Sequence, residues 1–227
     1  MNKSGNKGLM AVCIVIAILV IDQVIKILVK TNMCLHESIE ITPWFFISFV
    51  ENSGMAYGMT FINKIVLSLF RIVAISVIGY YIWLQVKENA RRGYLISLAM
   101  IMAGAAGNIF DSMFYGLFFT KSTIYEPSYL VSLGEGYAPF LQGKVVDMFY
   151  FPLIETTLPD WLPIWGGQPY VFFSPVFNFA DASICVGVAL LLLFYRKELS
   201  TLTLKASPVK TDEEKTDEIT TDGEKTE

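Results

Sequence analysis

Two asparagine–aspartate patterns and one further aspartate could together carry acid–base chemistry. Asn108 precedes Asp111 by three positions, a spacing that on a helix brings the amide and the carboxyl to one face. Asn178 precedes Asp181 in the same way, and Asp147 lies between the two patterns in an apolar stretch. Two close carboxyls in an apolar setting do not readily both ionise, so one can act as a base on water while the other protonates a carbonyl. Asp147 paired with Asp181 would therefore hydrolyse an amide without metal, serine or cysteine.

The same residues allow other interpretations. Asparagine and aspartate often cap or cross-link helices, and Asp147 could be a solvated loop residue. Acids within a membrane also form ion relays, so the residues alone leave a protease and a small carrier equally open. A carrier would show paired repeats and broken helices, and no matching halves are visible. A non-catalytic scaffold would leave the repeated pattern unexplained, and no serine has a lysine placed as an evident base.

Further charges occur inside apolar segments, where each is a candidate for a functional site. Asp22 and Lys26 are four positions apart, on one helical face, and can pair with each other. Because the pair would neutralise itself, it favours a supporting role over direct chemistry. Arg71 lies inside another apolar segment and needs an anionic partner or a route to the interface, and the sequence names no such partner.

The composition places these residues in a membrane protein. Of 227 residues, 54% are hydrophobic and 17% are charged, against about 25% charged in soluble domains. A helix needs about 20 apolar residues to cross the hydrocarbon core. We therefore predict an all-α membrane protein with four transmembrane helices, at residues 9–29, 61–86, 94–119 and 176–195. The first is expected to be retained, because no small-residue cleavage motif follows it.

Lysines and arginines give the expected orientation. They lie before the first helix, between the second and third, and after the fourth, which predicts cytoplasmic N- and C-termini. The loops at 30–60 and 120–175 are then extracytoplasmic. Both are rich in aromatic residues, which favour the membrane surface, and residues 41–50 are β-prone. Ser174 and Pro175 are expected to begin the fourth helix.

Two classes of function are excluded. The net charge of −4 resides in residues 205–227, since acidic and basic residues balance in the rest of the chain, and no basic stripe indicates a nucleic-acid site. Cys13, Cys34, Cys185 and His36 are too scattered to form a zinc site. We expect a membrane domain at residues 1–200 and an acidic, disordered cytoplasmic tail at residues 201–227.

Five sequence blocks, taken together, resemble the bacterial lipoprotein signal peptidases (signal peptidase II), which are four-helix membrane aspartyl proteases. In chain order they are residues 21–26, 52–58, 104–111, 145–147 and 177–181. Their order across four predicted helices is specific, whereas any single block would be weak.

The resemblance implies a function and a role for each matching residue. Asp147 and Asp181 match the catalytic dyad of the family. Positions that line the substrate site in the family match Asn52, Gly54, Asn108 and Asn178. Positions with a supporting role match Asp22, Lys26 and Asp111. The family removes signal peptides from prolipoproteins, cutting before a cysteine that carries a diacylglyceryl group.

The same resemblance implies the setting of the reaction. It implies a multi-pass protein of the bacterial cytoplasmic (inner) membrane, with its site on the extracytoplasmic side. The partners are prolipoprotein signal peptides bearing diacylglyceryl-cysteine and membrane lipid, without metal, organic cofactor or nucleic acid. We expect a monomer.

The chain departs from the family pattern at two places. Ser112 stands where the family usually has an arginine, and Lys144 is a candidate to replace that cation. An aromatic-rich insertion at about 120–143 lengthens the segment between Asp111 and Asp147. We expect this insertion to enlarge the outer loop over the site and to affect which substrates enter.

Overall fold

The computed structural model describes residues 3–52 and 64–199. Its elements, in chain order, are α1 (Lys3–Asn32), β1 (Ser38–Thr42), β2 (Phe45–Asn52), α2 (Lys64–Lys87), α3 (Arg92–Phe118), β3 (Val145–Tyr150), β4 (Ile154–Thr157), β5 (Pro169–Phe172) and α4 (Phe179–Phe194). Among the described residues, α1, α2 and α3 are long and apolar enough to cross a membrane. The apolar α4 has 16 residues, about 24 Å, so a fourth span remains a prediction.

The start of α4 corrects one expectation from the sequence. Ser174 and Pro175 do not begin the helix, because the N-cap is Asn178. Phe177 instead forms a β-bridge with Phe149 of β3, and the two residues exchange backbone hydrogen bonds of 2.7 and 3.0 Å. This pairing keeps the chain extended up to the cap, so local helix signals at 174–176 are overridden by tertiary contact.

Helix α3 lies at the centre of the bundle and packs against the other three helices. Two glycines permit its close approach to neighbours. A Cβ on Gly104 would overlap the Ala180 carbonyl oxygen of α4, and one on Gly107 would lie 2.6 Å from Asp22 Oδ2 of α1. The glycines of the block at 104–111 therefore bring α1, α3 and the start of α4 together around one point.

The segments between α1 and α2 and between α3 and α4 form two small sheets. The larger has the order β1-β2-β3 with antiparallel pairing, and the smaller is the hairpin of β4 and β5. Phe49 of β2 and Val146 and Met148 of β3 are fully buried in a cluster with the ends of α1 and α3. Because side chains alternate along a strand, Asp147 points away from that cluster. The sheet thus fixes the direction of one predicted catalytic acid.

Candidate active site

Asp147 lies in the middle of β3 and is 4% exposed. Its backbone pairs with Val50 of the neighbouring strand β2. Its Oδ1 atom accepts a hydrogen bond of 2.7 Å from Asn178 Nδ2. A carboxyl that sequence analysis placed in a loop is therefore held by a regular strand and a buried amide.

Asp181 lies in the first turn of α4, nearer the helix start than the sequence predicted, because the helix begins at Asn178. The two residues form a reciprocal capping box. Asn178 Oδ1 accepts from the Asp181 backbone N–H at 2.9 Å, and Asp181 Oδ2 accepts from the Asn178 backbone N–H at 3.3 Å. One asparagine–aspartate pattern is thus a helix cap, and it fixes the Asp181 carboxyl at a helix N-terminus, which favours negative charge.

Two asparagine amides connect the acids to each other. Asn108 Nδ2 donates to Asp181 Oδ1 at 2.7 Å, while Asn178 Nδ2 donates to Asp147 Oδ1. Asn178 Nδ2 also lies 3.0 Å from Asn108 Oδ1, which links the amides. Each carboxyl therefore accepts a hydrogen bond from a different asparagine, and the two asparagines restrain one another.

Lys26 joins this pair of amides to a buried ionic network. Its Nζ contacts Asp22 Oδ2 at 2.9 Å, Asp111 Oδ2 at 2.8 Å and Asn108 Oδ1 at 2.9 Å. The three partners use the three N–H donors of the ammonium. Both salt-bridged aspartates have essentially no exposed side-chain surface. The structure thus brings together the three residues to which the family resemblance gives a supporting role.

Asp22 also caps α4 from another helix. Its Oδ1 accepts from the Ala180 backbone N–H at 2.9 Å. Gln23, which sequence analysis placed in a matching block without a role, donates to Asp111 Oδ1 at 2.8 Å and accepts from the Tyr115 hydroxyl at 3.1 Å. Helices α1, α3 and α4 are therefore cross-linked directly beneath the two acids.

The environment of Asp147 disfavours its charged form. Burial is the main cause that raises the pKa of Asp147, to about 7, and the negative charge of Asp181 raises it further. Hydrogen bonds from Asn178 and Asn52 and the charge of Lys26 act in the opposite direction. A pKa of about 7 means that Asp147 can both hold and release a proton near neutral pH, close to the carboxyl of Asp181.

Asn52, Gly54 and Arg71 are the remaining residues that the sequence singled out. Asn52 ends β2, pairs with Val145 and contributes a side-chain hydrogen bond to Asp147. Gly54 lies outside the described residues. Arg71 of α2 has Asp181, then Asp111 and Asp147, as the opposite charges acting on it. The sequence named no anionic partner for Arg71, and these three acids supply negative charge that acts on it.

A second buried ionic cluster, formed by Lys30, Glu51, Ser122 and Lys144, was missed from the sequence. Glu51 Oε1 lies 2.6 Å from Lys30 Nζ and 2.7 Å from Ser122 Oγ, and its Oε2 lies 3.2 Å from Lys144 Nζ. Burial is the largest single cause and would raise the pKa of Glu51, but the charge of Lys30, the hydrogen bonds from Lys30 and Ser122 and the charge of Lys144 together lower it. The available signal was spacing, because Lys30 follows Lys26 by one helical turn.

The insertion at 120–143 packs onto α3 and completes this cluster. Ser122 supplies the hydroxyl, and the rings of Phe119 and Tyr137 lie 5.5 and 5.2 Å from Lys30 Nζ. The backbone N–H of Gly143 donates to the Ser112 carbonyl at 2.9 Å. The Ser112 side chain is buried and bonds back to the Asn108 carbonyl at 3.2 Å. The insertion is therefore fastened to the frame that holds β2 and β3.

An aromatic cluster borders Asp147 on its own face of the sheet. Phe149 follows Asp147 by two positions, and its ring centroid lies 6.0 Å from that of Phe177. Phe151 stacks on Phe45 at 4.7 Å and on Phe177 at 5.6 Å. Phe177 immediately precedes the cap residue Asn178. An extended apolar surface thus leads to the two acids.

Comparisons with known proteins agree on one family. Residues 14–196 match the family model described as signal peptidase (SPase) II. A lipoprotein signal peptidase of Porphyromonas gingivalis is 48% identical over 200 residues, which cover 86% of this chain and 87% of the relative. One from Amoebophilus asiaticus is 38% identical over 187 residues, 79% of this chain and 75% of the relative.

A solved structure shows the same fold. It is described as a bacterial membrane enzyme, has a TM-score of 0.55 and 22% identity, and the match covers 88% of this chain and 94% of that one. A second structure with the same description gives a TM-score of 0.52.

Proposed function

The chain belongs to the signal peptidase II family, which makes it a membrane protease of lipoprotein processing, and from this premise we propose its reaction and mechanism. It removes signal peptides from prolipoproteins by cutting before a cysteine that bears a diacylglyceryl group. The observation that carries the proposal is the pair Asp147 and Asp181, each held by a different buried asparagine. The raised pKa of Asp147, to about 7, supports a pair that shares one proton.

In the proposed resting state Asp147 holds the shared proton and Asp181 is ionised. Asp181 takes a proton from water as the water oxygen attacks the scissile carbonyl carbon, and Asp147 gives its proton to the carbonyl oxygen. The tetrahedral intermediate then collapses with proton transfer to the leaving nitrogen, and the C–N bond breaks. The products are a signal peptide with a new carboxyl group and a protein whose lipidated cysteine has a free amino group. No covalent enzyme intermediate forms.

The surrounding residues orient this chemistry. Proton transfer depends on the geometry of the two carboxyls. Asn108 and Asn178 hold these carboxyls in fixed directions, and Asn52 contributes a further hydrogen bond to Asp147. Lys26, which is paired with Asp22 and Asp111, holds Asn108, and Asn108 in turn accepts a hydrogen bond from Asn178. The substrate lies against the aromatic cluster with its acyl chains in lipid.

The same proposal gives the location and organisation of the protein. Four helices span the bacterial inner membrane, both termini are cytoplasmic, and the two acids face the extracytoplasmic side. The protein acts as a monomer through residues 1–200, and residues 201–227 form an acidic cytoplasmic tail. The family arginine absent at Ser112 is replaced by a cation from elsewhere, either Lys144 or Arg71.

Cleavage of a diacylglyceryl-modified prolipoprotein by the purified chain in lipid tests this proposal. Asp147→Asn and Asp181→Asn should each abolish cleavage, whereas Asp160→Asn, at an exposed carboxyl of the β4–β5 hairpin, should not. Unlipidated substrate should remain intact. Cleavage that survives either substitution at the pair would show that the wrong acids were chosen, and a folded wild type that cleaves nothing would refute the activity.

Two further variants decide which cation replaces the arginine. Lys144 Nζ already contacts Glu51, whereas the negative charges that act on Arg71 include both acids of the pair, so Arg71→Gln should slow cleavage more than Lys144→Ala. Unchanged cleavage by Lys144→Ala would remove Lys144 from consideration. Unchanged cleavage by both variants would mean that no cation takes the place of the arginine.

A further inference from the structure

A groove of about 270 Å³ lies between α1 and α2, at the end of the bundle away from the two acids. Its walls include Gly8 and Val12 of α1 and Gly79 and Trp83 of α2, and Met102 of α3 contributes to its lining. On each helix the lining residues recur at three- and four-residue intervals, so the groove follows about two helical turns, or about 11 Å. The lining is almost entirely apolar. Its length and lining suit one segment of a hydrocarbon chain.

Helix α1 is attached at this end to the link between α2 and α3. Lys7 Nζ donates to the backbone carbonyls of Asn89 and Ala90, at 2.9 and 2.6 Å, in the link that follows α2. One position further along α1, Gly8 has no side chain to fill the space towards α2. A Cβ at Gly8 would lie 3.6 Å from Val86 Cγ1, which is ordinary contact.

Lys87 gives the mouth of the groove a positive charge. Lys87, the last residue of α2, is exposed, and its Nζ lies 3.5 Å from the centre of the Trp83 ring. Lys7, Arg91 and Arg92 lie at the same end of the bundle, where Arg91 pairs with Glu198 at 3.1 Å and Glu88 follows Lys87. Tryptophan with lysine at the end of a membrane helix is typical of the level of lipid headgroups. A chain that enters the groove would therefore leave its headgroup beside Lys87.

We infer that this groove is a binding site for an anionic phospholipid, with one acyl chain between α1 and α2 and the phosphate at Lys87. The basic mouth complements a negative headgroup. The signal helix of a substrate is the other apolar segment that could occupy the groove. The positive charge at the mouth disfavours it, because the cytoplasmic end of a signal peptide is itself positively charged. The inference concerns a face remote from the acids and does not depend on the proposed reaction.

Fluorescence quenching can test the site, because Trp83 lines it. The full chain with Trp44, Trp161 and Trp165 replaced by phenylalanine keeps Trp83 as its single tryptophan. It would be placed in phosphatidylcholine nanodiscs that contain a small fraction of phosphatidylglycerol with brominated acyl chains. We expect stronger quenching than with the same fraction of brominated phosphatidylcholine. Lys87→Gln should reduce this preference roughly fivefold, the factor expected for one basic residue at an anionic surface.

Matched variants separate the groove from the general lipid around the helices. Gly8→Leu should fill the groove and remove the preference, whereas Gly5→Leu, with nothing within 4 Å of an added Cβ, should retain it. Arg92→Gln provides the control for loss of a basic residue beyond the groove. Equal quenching by both brominated lipids would overturn the inference, as would quenching that Gly8→Leu leaves unchanged. Displacement of the brominated lipid by a synthetic signal peptide would overturn it in favour of a signal-helix site.

Discussion

Replacement of Asp147 by asparagine should abolish cleavage and yet stabilise the protein at alkaline pH. The pKa of Asp147 is raised to about 7 in the fold, whereas an unperturbed aspartate has a pKa of about 3.9. Because the folded state binds this proton more tightly than the unfolded chain, stability declines as the pH rises from about 4 and the loss is complete above about 7. Three pKa units correspond to about 4 kcal/mol of unfolding free energy.

Asparagine removes the charge while it keeps the shape of the side chain. Its Oδ1 can still accept the hydrogen bond that Asn178 Nδ2 donates to Asp147. The variant should therefore equal the wild type in stability near pH 4 and exceed it by up to about 4 kcal/mol at pH 9. The proposed proton sharing further predicts that the cleavage rate of the wild type falls as the pH rises through about 7.

Unfolding by sodium dodecyl sulfate in mixed micelles, followed by tryptophan fluorescence across this pH range, measures the difference. Asp160→Asn, at an exposed carboxyl, is the control and should leave stability unchanged at both pH values. If Asp147→Asn shows no gain at pH 9 relative to pH 4, the carboxyl is not held against its charged form. The assignment of the shared proton to Asp147 would then be wrong.

Four other substitutions test the frame around the acids. Lys26→Met should cost about 3–5 kcal/mol of unfolding free energy, because it leaves the buried Asp22 and Asp111 without their shared cation, whereas the exposed Lys121→Met should cost little. Lys30→Met and Glu51→Gln should each destabilise by a similar amount, and the double variant by clearly less than their sum; additive costs would contradict the ion pair. Gly104→Ala should cost about 1–3 kcal/mol and slow cleavage, because its Cβ overlaps the Ala180 carbonyl, while Gly5→Ala should do neither.

Local spacing predicted much of this frame. The four-residue interval between Asp22 and Lys26 indicated a pair on one helix face, and Lys26 Nζ lies 2.9 Å from Asp22 Oδ2. Hydropathy predicted the ends of α2 and α3 to within two residues, outside positions 61–63, which lie beyond the described part, whereas α1 begins six residues before the predicted start and ends three residues after the predicted end. The β-prone segment at 41–50 falls largely within β1 and β2. Each of these predictions concerns residues that are close together in the sequence, so the local residue pattern was sufficient to make it.

Contacts between distant segments could not be predicted in this way. Asp111 joins Lys26 from another helix, and Glu51 reaches Lys30 from a strand. Spacing along the chain does not indicate which buried charges meet once elements pack. The start of α4 was misplaced for the same reason, since the pairing of Phe177 with β3 decides it. The hairpin of β4 and β5 was also missed, because the aromatic residues around it gave no alternating pattern.

The carboxyl of Asp147 can be buried beside a second acid because its neighbours are held in place by contacts that do not involve Asp147. Asp181 is oriented by the cap of α4, and Asn108 by Lys26. The close approach at Gly104 sets the separation of α3 and α4 before either acid is considered. A buried carboxyl with a raised pKa can therefore remain at this position, as is common at functional sites. It follows that weakening a support should lower kcat through the geometry of the acids and leave KM largely unchanged, whereas variants in the aromatic cluster should raise KM first.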